Sequence, residues 1–176
     1  MMVPRIAVGG LMLVELHTAW TYSAPLGVIV GRREGDDAGV LCIRHRPRNA
    51  LSGPLTPEYC LETARRMLSV PNDPIEYVES REGVCGPNGA ATFVGPTAVR
   101  RVWYCNRPPG LIAGVYTCHA EFARDALRAL VCRECAYTVE TAIFDRPSWG
   151  GDDPLTRILM DGEEGVDGAQ GERRGG

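Results

Sequence analysis

An α+β domain is the fold class this sequence predicts, specifically a ferredoxin-like split βαβ sandwich with two helices on one face of an antiparallel sheet and extra N-terminal strands. Three observations carry that reading. Apolar residues recur at helical spacing in two stretches. Short β-branched and aromatic runs, bounded by glycine or proline, fill most of the remainder. From Gly39 onward the segments follow the order strand, helix, strand, strand, helix, strand.

A chain of 176 residues with 44% hydrophobic and 23% charged residues has the size and composition of one soluble domain, able to bury a core without metals or bridges. We expect residues 1–160 to form that domain. From Asp161 onward glycine and acid dominate, so residues 161–176 read as a disordered acidic tail.

The first candidate element is the nine-residue apolar run from Ile6 to Val14, which suits a core strand or the core of a signal peptide and is too short to span a bilayer. No small-x-small cleavage site and no N-x-S/T sequon follow it. That favours an intracellular protein, with secretion as the alternative if residues 1–24 act as a signal peptide. The apolar runs ending at Val30 and starting at Gly39 flank a polar turn and predict a hairpin. The best helix follows, with Thr56 as its cap, Pro57 in the first turn, and Cys60, Leu61, Ala64, Met67 and Leu68 on one face. Ile75–Ser80 reads as a strand, and the glycine-rich stretch from Gly83 to Pro96 as an irregular connection. Ala98–Cys105 is a strand stopped by Pro108, Pro109 and Gly110, and a short extended segment, Gly114–Cys118, comes after it. The second helix is expected from about His119 to Val131, and Ala136–Phe144 alternates as the cleanest strand.

Charge is divided unevenly along the chain. All 19 basic residues are arginine, and the net −3 resolves into +1 over residues 1–150 and −4 over residues 151–176. A near-neutral body argues against broad phosphate-backbone binding, though not against a local arginine patch. Such a patch is expected if Arg44 and Arg46 share one open sheet face with Arg101 and Trp103, a face that would suit a protein partner or nucleic acid.

Seven cysteines supply the remaining chemistry. Cys132 and Cys135 have the C-x-x-C spacing of half a zinc site, so zinc is the one metal the chain suggests and no other cofactor signature occurs. Cys118 is not their expected partner, because an intervening helix would hold it about 20 Å away. In an oxidising compartment Cys85 and Cys105 would close a loop of about twenty residues, worth about 3 kcal/mol. A nucleophilic role for Cys118 is weakened by its neighbour His119, since adjacent residues at a helix start diverge by about 100°. No complete hydrolase, nucleotide-binding or metalloprotease motif is present. The reading that leads is therefore a non-enzymatic interaction or regulatory protein acting through an exposed sheet face and loops. A secreted or envelope-associated disulfide domain and a small zinc or nucleic-acid binding regulator are the alternatives.

Overall fold

The computed structural model describes residues 5–14 and 19–145. It is an α+β fold with two helices and two antiparallel sheets. The acidic tail and the segment Leu155–Met160 lie outside the described residues.

The N-terminal apolar run is two strands rather than one, β1 (Arg5–Val8) and β2 (Leu11–Val14), because Gly9 and Gly10 both adopt positive φ and turn the chain back. Strand β3 (Trp20–Ser23) then pairs with β4 (Ile29–Arg33), and β4 forms the expected hairpin with β5 (Gly39–Pro47). Helix α1 (Pro57–Met67) begins where the sequence places it. The Thr56 hydroxyl accepts from the Tyr59 amide at 3.2 Å, and Cys60, Ala64 and Met67 are buried along one stripe. Strands β6 (Ile75–Arg81), β7 (Asn88–Val94), β8 (Ala98–Arg107) and β9 (Gly110–His119) follow as a continuous meander. Helix α2 (Ala126–Thr141) and a two-residue strand β10 (Ile143–Phe144) complete the described chain.

The large sheet has seven strands in the order β3-β4-β5-β9-β8-β7-β6, and β1, β2 and β10 form the small one. Every pairing is antiparallel. This arrangement overturns the split βαβ expectation, in which the two helices share a face. Alternation along β8 shows why: Val102 and Tyr104 pack with Cys60, Ala64 and Met67 of α1, whereas Trp103 and Cys105 pack with Val131, Cys135 and Val139 of α2. The helices therefore lie on opposite faces. The small sheet joins α2 on its face through Leu11 and Leu13.

Two element boundaries are corrected as well. The glycine-rich stretch contains β7, a strand whose small side chains fit a sheet covered on both sides, Ala90 facing the α2 core and Ala91 the α1 core. Ala136–Thr141 is the end of α2 rather than a strand, with Val131, Cys135, Thr138 and Val139 buried at three- and four-residue spacing. The helix sits close to the sheet at Gly114, where an added Cβ would stand 2.4 Å from the Val139 Cγ2.

Candidate functional site

Helix α2 is fixed to the sheet by buried charge. Arg128, 5% exposed, reaches Asp36 in the β4–β5 turn with two hydrogen bonds of 2.7 and 2.6 Å, and it also donates to the Tyr116 hydroxyl. Tyr116 in turn donates to the same carboxylate at 2.9 Å. Burial opposes ionisation of Asp36, but the hydrogen bonds from Arg128 and Tyr116 outweigh it and hold the carboxyl below its ordinary range. Six residues further along the helix, Glu134 accepts from the Trp20 indole at 2.7 Å and from Arg33 Nε at 2.9 Å. Near its C-terminus Arg107 donates to the Glu140 carbonyl, and Arg81 pairs with the Glu140 carboxylate at 3.1 Å.

Arg107 and Arg81 hold the helix's C-terminal end from β8 and β6, its apolar stripe packs on β8 and β9, and Trp20, Arg33 and Asp36 hold it on the side toward β3 and β4. On its other side a groove of about 510 Å³ opens between the helix and the face of β6–β8. Its floor includes Val99, Arg101 and Trp103, and the helix contributes Ala129, Cys132 and Ala136 to the wall. Arg101 lies flat in this floor. It donates to Thr92 Oγ1 at 2.8 Å and Glu79 at 2.9 Å, and its guanidinium sits 4.8 Å from the centre of the Tyr77 ring. Beyond the groove, β6 is exposed along all seven residues, with Ile75, Tyr77 and Val78 roughly half uncovered.

The four residues expected on one open face are divided between two. Arg101 and Trp103 are on the α2 side, where Trp103 is core, at 3% exposure, with an edge at the groove floor. Arg44 lies on the opposite face, beside the α1 C-terminus, and donates to the Met67 carbonyl at 2.9 Å. Arg46 follows it two residues later on β5, also exposed. The sheet order causes the split, since β5 residues with even numbers and β8 residues with odd numbers face opposite ways. A shared basic patch is thus absent among the described residues.

The cysteines are similarly dispersed, and all seven are unbridged. Cys132 and Cys135 lie inside α2 rather than on a turn, Cys132 at the groove and Cys135 in the core. Among the described residues no group of three or more His, Cys, Asp or Glu is arranged to hold a metal. Burial raises both thiols, Cys135 strongly, and so opposes the thiolate that zinc requires. Cys105 points into the α2-side core, its thiol pushed up to about 11 by burial. Cys85 belongs to the β6–β7 connection, whose Gly86 packs against Leu55 and Asn106, a neighbourhood on the α1 side. The proposed disulfide partners therefore approach different faces. Cys118 ends a strand rather than opening a helix; it is buried and raised by that burial, while His119 is exposed and lies 3.5 Å from Glu121.

The chain matches no protein-family model and no curated protein. No helix among the described residues is long and apolar enough to cross a membrane. Sequence reasoning found Arg101 and Trp103 but missed Arg128, Asp36 and Glu134. Arg128 and Glu134 carried a signal, because a helix facing an apolar core at those positions places both charges inward.

Proposed function

We propose that this protein is a non-enzymatic interaction protein, an adaptor or regulator that receives a segment of a partner protein in the groove between α2 and β6–β8. The observation that carries the reading is the incomplete cover of one sheet face: α2 packs on β8 and β9 with the small sheet against it, and a groove is left between the helix and the outer strands, lined by Thr92, Val99 and Arg101. An apolar floor with fixed polar groups is the usual anatomy of a binding cleft. The chemistry of the thiols supports a binding role over a nucleophilic one, because burial raises Cys42, Cys60, Cys105, Cys118, Cys132 and Cys135.

The test is comparative capture from the native source. Ala136 is half-buried on the groove wall, so Ala136→Glu fills the cleft without removing a core contact. A partner retained by the wild-type chain and lost by this variant, with melting unchanged, is the expected result. Equal retention by both chains overturns the reading.

A further inference from the structure

Cys118 and Cys132 are the two thiols that line the groove, and the other five stand elsewhere. Cys60 is buried in the α1-side core with Cys42 packed against it, Cys105 and Cys135 are sealed in the α2-side core, and Cys85 belongs to the β6–β7 connection. The chain between the pair is not one straight helix. Strand β9 ends at His119, a single 3₁₀ turn follows over Ala120–Phe122, and α2 starts only at Ala126. The helix then returns over the strand. Its C-terminal end is held by Arg107, which sits opposite Gly110 at the start of β9, and Ala123 and Asp125 line the groove at the end where Val99 sits opposite Cys118.

A fixed contact sets the register of that return. Gly114 of β9 lies against Val139 of α2, where an added Cβ would stand 2.4 Å from Val139 Cγ2. From Gly114 to Cys118 the strand advances about 13 Å at its ordinary rise. From Val139 back to Cys132 the helix advances about 10 Å. Both steps lie wholly within β9 and α2 and lead the same way, so the two thiols stand at nearly one level. They also face one another's element. Cys118 points from the sheet into the α2-side core, and Cys132 packs against that core from the helix. Each thiol is raised by burial, and negative charge on Cys132 raises Cys118 further, the mark of two groups within electrostatic reach.

We infer that Cys118 and Cys132 form a redox modification site, a dithiol that a small exchanging disulfide of the glutathione type oxidises to a cross-link between β9 and α2. Cys132 is half-buried and Cys118 only 6% exposed, so the incoming disulfide meets Cys132 first. The Cys132 thiol gives its proton to solvent, and the thiolate attacks one sulfur of the small disulfide. A new bond forms between the sulfurs, the old S–S bond breaks, and one small thiolate leaves. Cys118, its proton likewise lost to solvent, then attacks the Cys132 sulfur, and the second small thiolate leaves. The protein loses two protons and two electrons, and the small disulfide is reduced to two thiols once they take those protons up. Because burial raises both protein thiols, they attack slowly and leave slowly, and the bond, once made, resists reduction. It links the floor of the groove to its wall and excludes a bound segment, a consequence that rests on the groove being the contact surface.

The experiment uses the full chain, reduced and folded, incubated with glutathione disulfide at mildly alkaline pH, then alkylated, digested without reductant and mapped by mass spectrometry. A peptide pair joining Cys118 to Cys132 is expected to exceed every other linked pair by at least about tenfold, because the fold brings these thiols together. That preference should vanish when the same exchange is run in urea. Cys118→Ala is expected to stop at the first step and keep glutathione on Cys132, and Cys132→Ala to leave Cys118 unmodified. The wild-type map is decisive even where a variant folds poorly. A dominant bond elsewhere, Cys132 to Cys135 included, overturns the inference, as do a bond between two chains and a wild-type chain that keeps glutathione on Cys132 or takes none. Partner capture is a separate arm, in which the cross-linked chain should lose a partner that the reduced chain retains. If the bond maps to Cys118 and Cys132 and capture is unchanged, the modification site stands and its blocking of the groove is overturned, while Ala136→Glu tests the groove reading by itself.

Discussion

The two faces of the large sheet are sealed by different physics. On the α1 face, Cys60, Ala64 and Met67 meet Ala91, Phe93, Val102 and Tyr104, and the contact is apolar almost throughout. On the α2 face an apolar core is crossed by two buried ionic clusters, Asp36 with Arg128 and Tyr116, and Glu134 with Arg33 and Trp20. Apolar burial is non-directional, so α1 settles where the most surface is covered. Charged hydrogen bonds are directional, and each of these clusters ties α2 to strands or turns on the β3–β5 side. The lesson is positional. Like α1, α2 packs on the central strands β8 and β9, and what its ionic clusters add is a fixed setting along and about the helix axis that apolar contact alone does not give.

The largest expected effect breaks this contrast at its strongest point. Asp36→Ala leaves Arg128 charged and buried without a counterion, which costs about 3–5 kcal/mol. Arg128 is the more exposed to this because its Nε is already buried without a hydrogen-bond partner among the described residues. Urea denaturation would measure the loss. If the charge and not its volume is responsible, the double variant Asp36→Ala with Arg128→Met should recover most of it, since a buried pair replaced by apolar groups is often neutral. On the α1 face a similar loss, about 3–5 kcal/mol, should follow Phe93→Ala, there through a cavity that no second charge change can repair.

Acid should distinguish the faces next. The Asp36 carboxyl is held below its ordinary value in the folded chain, so it contributes stability above the unfolded value near 4, and that contribution is lost as pH falls through the folded value. Melting temperature is therefore expected to drop steeply below about pH 4. The drop should be shallower in Asp36→Asn, whose starting stability is lower. A profile of equal steepness in both proteins would place the acid sensitivity elsewhere. Glu134→Gln weakens the second cluster, where Arg33 is only 18% exposed, and should cost about 1.5–3 kcal/mol at neutral pH.

What the sequence revealed follows the same division. Helix α1 was legible to within a residue because cap, first-turn proline and stripe all act locally. Helix α2 was not, since its end is rich in Thr, Val and Tyr, residues of strand preference, and its helical form there goes with packing on β8 and β9 and with the Glu134 cluster, none of them local. The two-sided cover was written in the uninterrupted apolar runs Val102–Cys105 and Leu111–Ala113, because a strand buried on both faces loses alternation. The expectation of both helices on one face came from the order of elements along the chain, which does not record that two-sided cover. Of the site, Arg101 and Trp103 stood out by composition, but their separation from Arg44 and Arg46 depends on strand order, which no local pattern encodes.

The smaller effects sharpen the α1 side. Thr56→Ala removes the hydroxyl that accepts from the Tyr59 amide and should cost about 1 kcal/mol, a local loss with no effect on α2. Glu62→Gln is the least. Its carboxyl is lowered to about 2 by hydrogen bonds from Arg65 and Arg66, which overcome partial burial. Yet the side chain is 42% exposed, so water and salt screen the pairs and the expected loss is about 0.5 kcal/mol, vanishing at high salt. Denaturation of Glu62→Gln and Glu134→Gln in parallel at low and high salt therefore isolates burial as the variable. Both remove one carboxylate that accepts from arginine, and only the Glu134 loss should survive screening, because its 4% exposure keeps ions away. Equal salt sensitivity at the two positions would mean that the Glu134 cluster is screened like a surface pair, and that burial does not set the strength with which it holds α2.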